Sequence, residues 1–69
     1  MEPGEPDHQF WLAETYFKKQ DYRSAVVIYE AMLQFSPRDA RIYSGLGDAY
    51  LHLEQYAEAG EVLTQGLSL

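Results

Sequence analysis

The feature that most constrains this chain is an internal repeat with a period of 34 residues. The identical pairs are Leu12 and Leu46, Tyr16 and Tyr50, Tyr22 and Tyr56, Ala25 and Ala59, and Leu33 and Leu67. The similar pairs are Ala13 and Gly47, Ile28 and Val62, Tyr29 and Leu63, and Phe35 and Leu69. A period of this length is typical of stacked supersecondary units that bury their apolar faces against one another. The charged residues between these positions are not repeated. The sequence therefore specifies how the units pack, but it does not specify what they bind.

The residues at the repeated positions resemble the tetratricopeptide repeat, a helix–turn–helix unit of 34 residues. The second unit reads Tyr43, Leu46, Gly47, Tyr50, Tyr56, Ala59, Leu63, Gly66 and Leu67. The first unit reads Gln9, Leu12, Ala13, Tyr16, Tyr22, Ala25, Tyr29, Met32, Leu33 and Pro37. All six tyrosines fall on these positions. The departures are Gln9 for an aromatic residue, Met32 for a small residue, and Gln20 and Glu54 where glycine is frequent.

The pattern predicts an all-α fold of two stacked helix–turn–helix repeats with four antiparallel helices, a fragment of an α-solenoid. We expect a disordered leader at residues 1–6, repeat 1 at 7–39, and repeat 2 at 40–69 with no capping helix. The predicted helices run from a cap at Asp7 to about Lys19, from Tyr22 to Phe35, from Ala40 to Leu53, and from Tyr56 to Ser68. Asp21 is expected to cap the second helix, and Asp39 or Ser36 the third.

Within each unit the two helices must approach closely, and small residues permit this. We therefore expect Ala13 to face Ala25 in the first unit, and Gly47 to face Ala59 in the second.

Length and charge limit the functions that the chain can have. A chain of 69 residues makes one small domain of marginal stability. It has no cysteine, so disulfides and thiolate chemistry are excluded. Its net charge of −6 argues against nucleic acid and against an anionic membrane surface. No apolar run approaches the roughly 20 residues of a membrane helix, and the first six residues do not resemble a signal peptide. We expect a cytoplasmic protein.

The resemblance implies a concave groove, lined by the first helix of each unit, that binds a peptide or a partner helix. The positions carried over are Asp7, Phe10, Glu14, Phe17, Lys18, Arg41, Ser44, Asp48, Leu51 and His52. Phe10, Glu14 and Phe17 share one helix face. Two phenylalanines beside a carboxylate suit an apolar or basic peptide. The alternative is that both phenylalanines pack only against the adjacent helix.

The best-known ligand of such a groove is the C-terminal carboxylate of heat-shock chaperones, which lysines and asparagines hold. Phe10, Glu14 and Asp48 occupy positions where that clamp needs a lysine and two asparagines. Because carboxylates repel a carboxylate, we do not expect this function.

No pattern in the sequence indicates an enzyme or a cofactor. The chain has no Ser/His/Asp set, phosphate-binding loop or His/Cys cluster. Asp48 and His52 stand four residues apart on one helix, a spacing that could hold a metal ion, but two ligands make a weak site. A solvated helix face is the simpler interpretation, and we expect no metal and no cofactor.

The resulting prediction is an adaptor or scaffold that binds other proteins and associates with itself. A small chaperone for an aggregation-prone secretion or pilus subunit is the alternative, and an RNA-binding helical repeat is opposed by the period and the charge. Self-association is predicted because an uncapped last helix would leave apolar residues partly in water. These are Val62, Leu63, Leu67 and Leu69. Phe10 and Trp11 are similarly unscreened at the other end. A two-fold dimer is favoured, with head-to-tail stacking and helix exchange as alternatives.

Overall fold

Four helices follow one another along the chain in a computed structural model that describes the backbone of residues 6–69 and the side chains of residues 9–69. They are α1 (Pro6–Lys18), α2 (Tyr22–Leu33), α3 (Ala40–His52) and α4 (Tyr56–Leu67). Each helix packs against the next, and the described residues form no strand. The prediction of an all-α fold built from two helix–turn–helix units is confirmed.

The helix starts follow from local chemistry. The Asp21 carboxylate accepts hydrogen bonds from the backbone N–H and the hydroxyl of Ser24, at 3.3 and 2.8 Å. The Asp39 carboxylate accepts from the backbone N–H of Arg41 at 3.0 Å and pairs with its guanidinium at 2.9 Å. The side-chain hydrogen bond from Arg41 lowers the pKa of Asp39. Asp21 and Asp39 therefore cap α2 and α3 as predicted, because each satisfies a backbone donor that has no partner inside the helix.

The first helix starts differently from the prediction. It begins at Pro6, so Asp7 lies within the first turn and does not precede the helix as a cap. Proline suits the first helical position, where its missing N–H costs nothing. Residues 1–5 of the predicted leader and the side chain of Asp7 lie outside the described residues, and the repeat boundaries stay predictions.

The turns inside the two repeats share an unusual backbone. Gln20 and Glu54 have φ angles of 64° and 62°, in the left-handed region. After α1, the N–H of Asp21 donates to the carbonyl of Tyr16 at 2.9 Å and that of Gln20 to the carbonyl of Phe17 at 2.9 Å. This pair of bonds is a Schellman motif, which closes a helix with a left-handed residue. The motif ends α1 at Lys18, one residue before the prediction.

Glycine at these two turns is expected to stabilise the protein. A left-handed conformation costs a residue with a Cβ roughly 1–2 kcal/mol, and glycine avoids most of this cost. Since glycine also makes the unfolded chain more flexible, we expect a net gain of about 0.5–1 kcal/mol for Gln20→Gly or Glu54→Gly. Urea unfolding measures the change. Gln34→Gly is the matched control, because Gln34 is right-handed at φ −68°; a gain there as large as at Gln20 would contradict the argument.

The core runs through both repeats. Its fully or nearly fully buried apolar side chains are Ala13, Ala25, Tyr29, Met32, Ile42, Leu46, Ala49 and Ala59. Gly47 is buried as well, and a Cβ placed on it would lie 2.5 Å from Cδ2 of Leu63. The predicted small residues thus lie where helices leave no room for larger ones.

Two tyrosine hydroxyls at the edge of this core bond to neighbouring parts of the chain. The Tyr50 hydroxyl donates to a carboxylate oxygen of Glu30 at 2.9 Å, which joins α3 to α2. The Tyr43 hydroxyl donates to the carbonyl of Pro37 at 2.7 Å. Burial, together with the hydrogen bond to Glu30, raises the pKa of Tyr50 to about 12. The ring of a tyrosine can therefore be buried while its polar end keeps a partner.

Candidate protein-binding groove

A cleft of about 220 Å³, here called the acidic cleft, lies where the first three helices meet. Its lining residues are Glu14, Phe17, Lys18, Tyr29, Gly45 and Asp48. The first three come from α1, Tyr29 comes from α2, and the last two come from α3. The structure thus brings together four residues that were predicted for the groove. Tyr29 and Gly45 were not predicted for it.

Tyr29 forms the floor of the acidic cleft. Its side chain is only 5% exposed, and its ring meets the Phe10 ring edge-on at 6.2 Å between centroids. A Cβ placed on Gly45 would lie 2.5 Å from Cζ and 2.6 Å from the hydroxyl oxygen of Tyr29. The end of the ring therefore occupies the space that a side chain at position 45 would need. The tyrosine can reach the cleft because residue 45 is glycine.

The chemistry around the Tyr29 hydroxyl is acidic. Burial raises the pKa of Tyr29, and the negative charges of Glu14 and Asp48 raise it further. No hydrogen bond joins this hydroxyl to a partner among the described side chains. Lys18 lines the same cleft, but the one ion pair within 4.0 Å in the described part of the chain joins Arg41 to Asp39. The cleft thus presents a hydroxyl, two carboxylates and the Lys18 ammonium group beside an aromatic wall, and the two carboxylates outnumber the one cation.

A second cleft, of about 470 Å³, continues the groove toward the start of α1. Its lining residues are Phe10, Trp11, Glu14, Tyr29 and Arg41. Glu14 and Tyr29 line both clefts, so the two are continuous. The Arg41 guanidinium carbon lies 4.5 Å from the centroid of the Phe10 ring, a cation–π contact. Phe10 is therefore screened by Arg41, in contrast to the prediction that it is unscreened.

Phe10 and Phe17 combine core packing with a place in the cleft walls, so the groove interpretation stays a prediction. Phe10 and Phe17 are half-buried and pack against the core, yet each lines one of the clefts. The Phe17 ring also makes edge contacts with Tyr22 and His52, at 5.0 and 5.2 Å. The groove wall is thus an extension of the core.

The remaining predicted groove residues lie elsewhere. His52 stacks on Tyr22 at 4.4 Å, and its Nδ1 lies 2.9 Å from the backbone carbonyl oxygen of Asp48. Leu51 is exposed beside it. Ser44 lines a third cleft, between α3 and α4, and the Asp7 side chain lies outside the described residues. The His52 ring thus takes part in an aromatic contact between the repeats. The described residues contain no group of three metal-ligating side chains.

The predicted self-association residues divide into two pairs. Val62 and Leu63 are half-buried: Val62 packs against the core, and Leu63 closes on Gly47. Leu67 is 88% exposed, and Leu69 is exposed. Of these four residues, the exposed ones therefore lie at the end of α4 and just after it.

Helix–turn–helix units that stack in register, with a groove across them, define a helical-repeat protein of the α-solenoid class. A family model described as Tetratricopeptide repeat matches residues 16–68. The chain belongs to the tetratricopeptide-repeat family, and such repeats serve as protein–protein interaction modules. The comparison with curated proteins and the comparison with solved structures each gave no match. None of the described helices has the length and apolar character needed to cross a membrane.

Proposed function

We propose that this protein is an adaptor or scaffold module whose groove binds a segment of another protein that carries a basic side chain next to apolar ones. The observation that carries the proposal is the acidic cleft. An ammonium or guanidinium group placed there would meet the Glu14 and Asp48 carboxylates and the Tyr29 hydroxyl, and its methylene chain would lie against Phe17. Charge-assisted hydrogen bonds of this kind are about twice as strong as neutral ones.

The same charges disfavour a carboxylate ligand. Glu14 lines both clefts, and Asp48 lines the acidic cleft, so a peptide C-terminus would meet negative charge along the groove. Lys18 is the one cation that lines the acidic cleft, and two carboxylates stand against it. Arg41, the cation of the second cleft, is paired with Asp39 and covers the Phe10 ring. A basic segment is therefore the better ligand.

We expect charge reversal in the acidic cleft to weaken binding of basic peptides selectively. The probes are peptides of equal length and apolar content that carry lysine, glutamate or glutamine at the same positions. The lysine series should bind best. Because two favourable charge contacts become repulsive, Glu14→Lys combined with Asp48→Lys should weaken that binding by about tenfold or more, or about 1.4 kcal/mol. Fluorescence anisotropy measures the affinities.

Two controls separate this site from the overall charge of the protein. Glu54→Lys combined with Glu61→Lys makes the same change in net charge at exposed positions just before and within α4, away from the groove and from the Glu58 end of the α4 surface. That variant should keep most of the affinity. Equal losses in the two double variants, or equal binding of the lysine and glutamate series, would contradict the groove. Co-purification with one insoluble partner at fixed stoichiometry would favour the chaperone instead.

Self-association is the second part of this proposal. The exposed apolar residues at the end of α4 support it, because a small domain gains stability when such a surface is covered.

A further inference from the structure

The outward face of α4 repeats a surface that is covered elsewhere in the molecule. The α4 face consists of Tyr56, Gly60, Leu63 and Leu67. Its equivalents one repeat earlier are Tyr22, Val26, Tyr29 and Leu33 on α2. Helix α3 packs on α2, and none of these four residues is exposed. On α4, in contrast, Tyr56 is 64% exposed and Leu67 is 88% exposed. The structure therefore contains a template for a helix that covers α4.

The template defines how the covering helix lies. Gly45 of α3 faces the ring of Tyr29 near the middle of α2. His52, in the last turn of α3, stacks on Tyr22 at the first residue of α2. The covering helix thus runs antiparallel to the helix that it covers, with its last turn at the start of its partner.

Helix α1 is equivalent to α3 in the repeat, and its residues match the different shape of α4. On α2 the large Tyr29 ring reaches outward over Gly45. On α4 the equivalent Leu63 instead turns inward and closes on Gly47 of its own repeat. The middle of the outer side of α4 therefore lacks the aromatic ring that Tyr29 supplies on α2. Helix α1 supplies this ring, because Trp11 stands where α3 has Gly45.

There is open space at the α4 side of this contact, and the Trp11 side chain is largely exposed at the α1 side. Gly60 replaces Val26, and a Cβ placed on Gly60 would meet no atom within 4 Å. Trp11 is 60% exposed. One turn further along α1, the Thr15 hydroxyl donates to the Trp11 carbonyl at 2.8 Å and so already has a partner. Ile42 lies one turn before Gly45 on α3. Its equivalent on α1 is His8, whose side chain lies outside the described residues.

The charges of the two surfaces are complementary as well. Helix α1 has Lys18 in its last turn, at the position that His52 takes on α3. Helix α4 has Glu58 in its first turn, next to the exposed Tyr56. An antiparallel arrangement places Lys18 near Glu58 and against the Tyr56 ring, where an ammonium group gains a cation–π contact.

We propose that α4 of one molecule binds α1 of a second copy, so that copies stack head to tail. The proposal rests on the self-association part of the proposed function and differs from a two-fold dimer, because two different surfaces meet. Such a contact does not close on itself and continues into longer stacks. It also brings the groove of one copy next to the groove of the next. A single helix face is a small interface, so we expect weak association that depends on concentration.

The wild-type protein provides the first test, because Trp11 is the sole tryptophan of the chain. Raising the protein concentration from micromolar to millimolar should increase the average mass above 7.9 kDa and shift the tryptophan emission to shorter wavelength. A rise in mass without a shift in emission would support a dimer through α4 alone and overturn head-to-tail stacking. A mass of one chain at every concentration would overturn all self-association, while leaving peptide binding to be judged by its own assay.

Two variants that block opposite ends provide the second test. Trp11→Asp blocks α1, and Leu67→Asp blocks α4; both side chains are exposed, so circular dichroism should show the fold retained. Each variant alone should remain a single chain, but an equimolar mixture should form a complex of twice the mass, because each variant keeps the surface that the other lacks. Val27→Asp, on the exposed side of α2, is the control and should stack like wild type. Association of Trp11→Asp alone, or no complex in the mixture, would overturn the proposal.

Discussion

Replacing Ile42 by alanine is expected to remove about half of the free energy of unfolding of the protein. Ile42 is 1% exposed and lies in a cluster that includes Ala13 and Ala25 of the first repeat and Leu46 of the second. Truncating a buried isoleucine to alanine costs about 2–5 kcal/mol, because the apolar contacts are lost and a cavity remains. The free energy of unfolding of small proteins is about 0.05–0.15 kcal/mol per residue, so a chain of 69 residues has a total of roughly 3–10 kcal/mol. Thermal and urea unfolding followed by circular dichroism should show a large loss or no cooperative transition.

Leu51→Ala is the matched control for this prediction. It truncates a large aliphatic side chain on the same helix, but at an exposed position. Its effect should stay within about 0.5 kcal/mol, as for most surface substitutions. If Ile42→Ala shifted the unfolding midpoint no further than Leu51→Ala, the cluster that joins the repeats would not carry the stability assigned to it.

The helices could be predicted from the sequence because their determinants are local or periodic. Asp21 and Asp39 precede apolar stripes and bond to N–H groups two or three residues away, so their role needs no knowledge of the fold. The helix ends were harder to predict. Gln20 and Glu54 depart from the glycine expected there, yet the backbone keeps the left-handed conformation that favours glycine. The two turns therefore share the same left-handed backbone conformation, although neither has the glycine that usually adopts it.

The candidate groove could be predicted in part. Family resemblance led to the α1 and α3 residues, and Glu14, Phe17 and Asp48 do line one cleft. The floor was missed because it depends on contact between repeats, in which Tyr29 fills the space left by Gly45. A period identifies equivalent residues, but it does not identify residues of different repeats that touch. One signal was available in the sequence. Position 45 is glycine whereas its equivalent one repeat earlier, position 11, is tryptophan, and this difference in side-chain size indicates that residue 45 faces a close neighbour.

His52 illustrates the same limit. Its spacing from Asp48 on one helix suggested two possibilities, a weak metal site or a solvated face. In the folded chain its main contacts come from Tyr22 and Phe17 of the preceding repeat. Spacing along one helix cannot reveal a contact that another helix provides.

Enlarging the side chain at Ala25 is expected to destabilise the protein by about 1–3 kcal/mol, the usual cost of inserting extra atoms into a well-packed core. Ala25 and Ala13 are both completely buried, so the three additional carbons of leucine at position 25 have no space without a shift of α1 against α2. That shift would also disturb the contact between Phe17 and Tyr22, which joins the same two helices at 5.0 Å. Urea unfolding of Ala25→Leu measures the loss.

Ala31→Leu separates this packing effect from helix propensity. It makes the same substitution in the same helix, at a position exposed to solvent. Alanine and leucine differ little in helix propensity, so Ala31→Leu should change the stability by no more than about 0.5 kcal/mol. Equal melting temperatures for wild type and Ala25→Leu would show that the two helices do not cross closely at this residue. The pairing of α1 with α2 through Ala25 would then be wrong, whereas the groove and the α4 surface could still be tested independently.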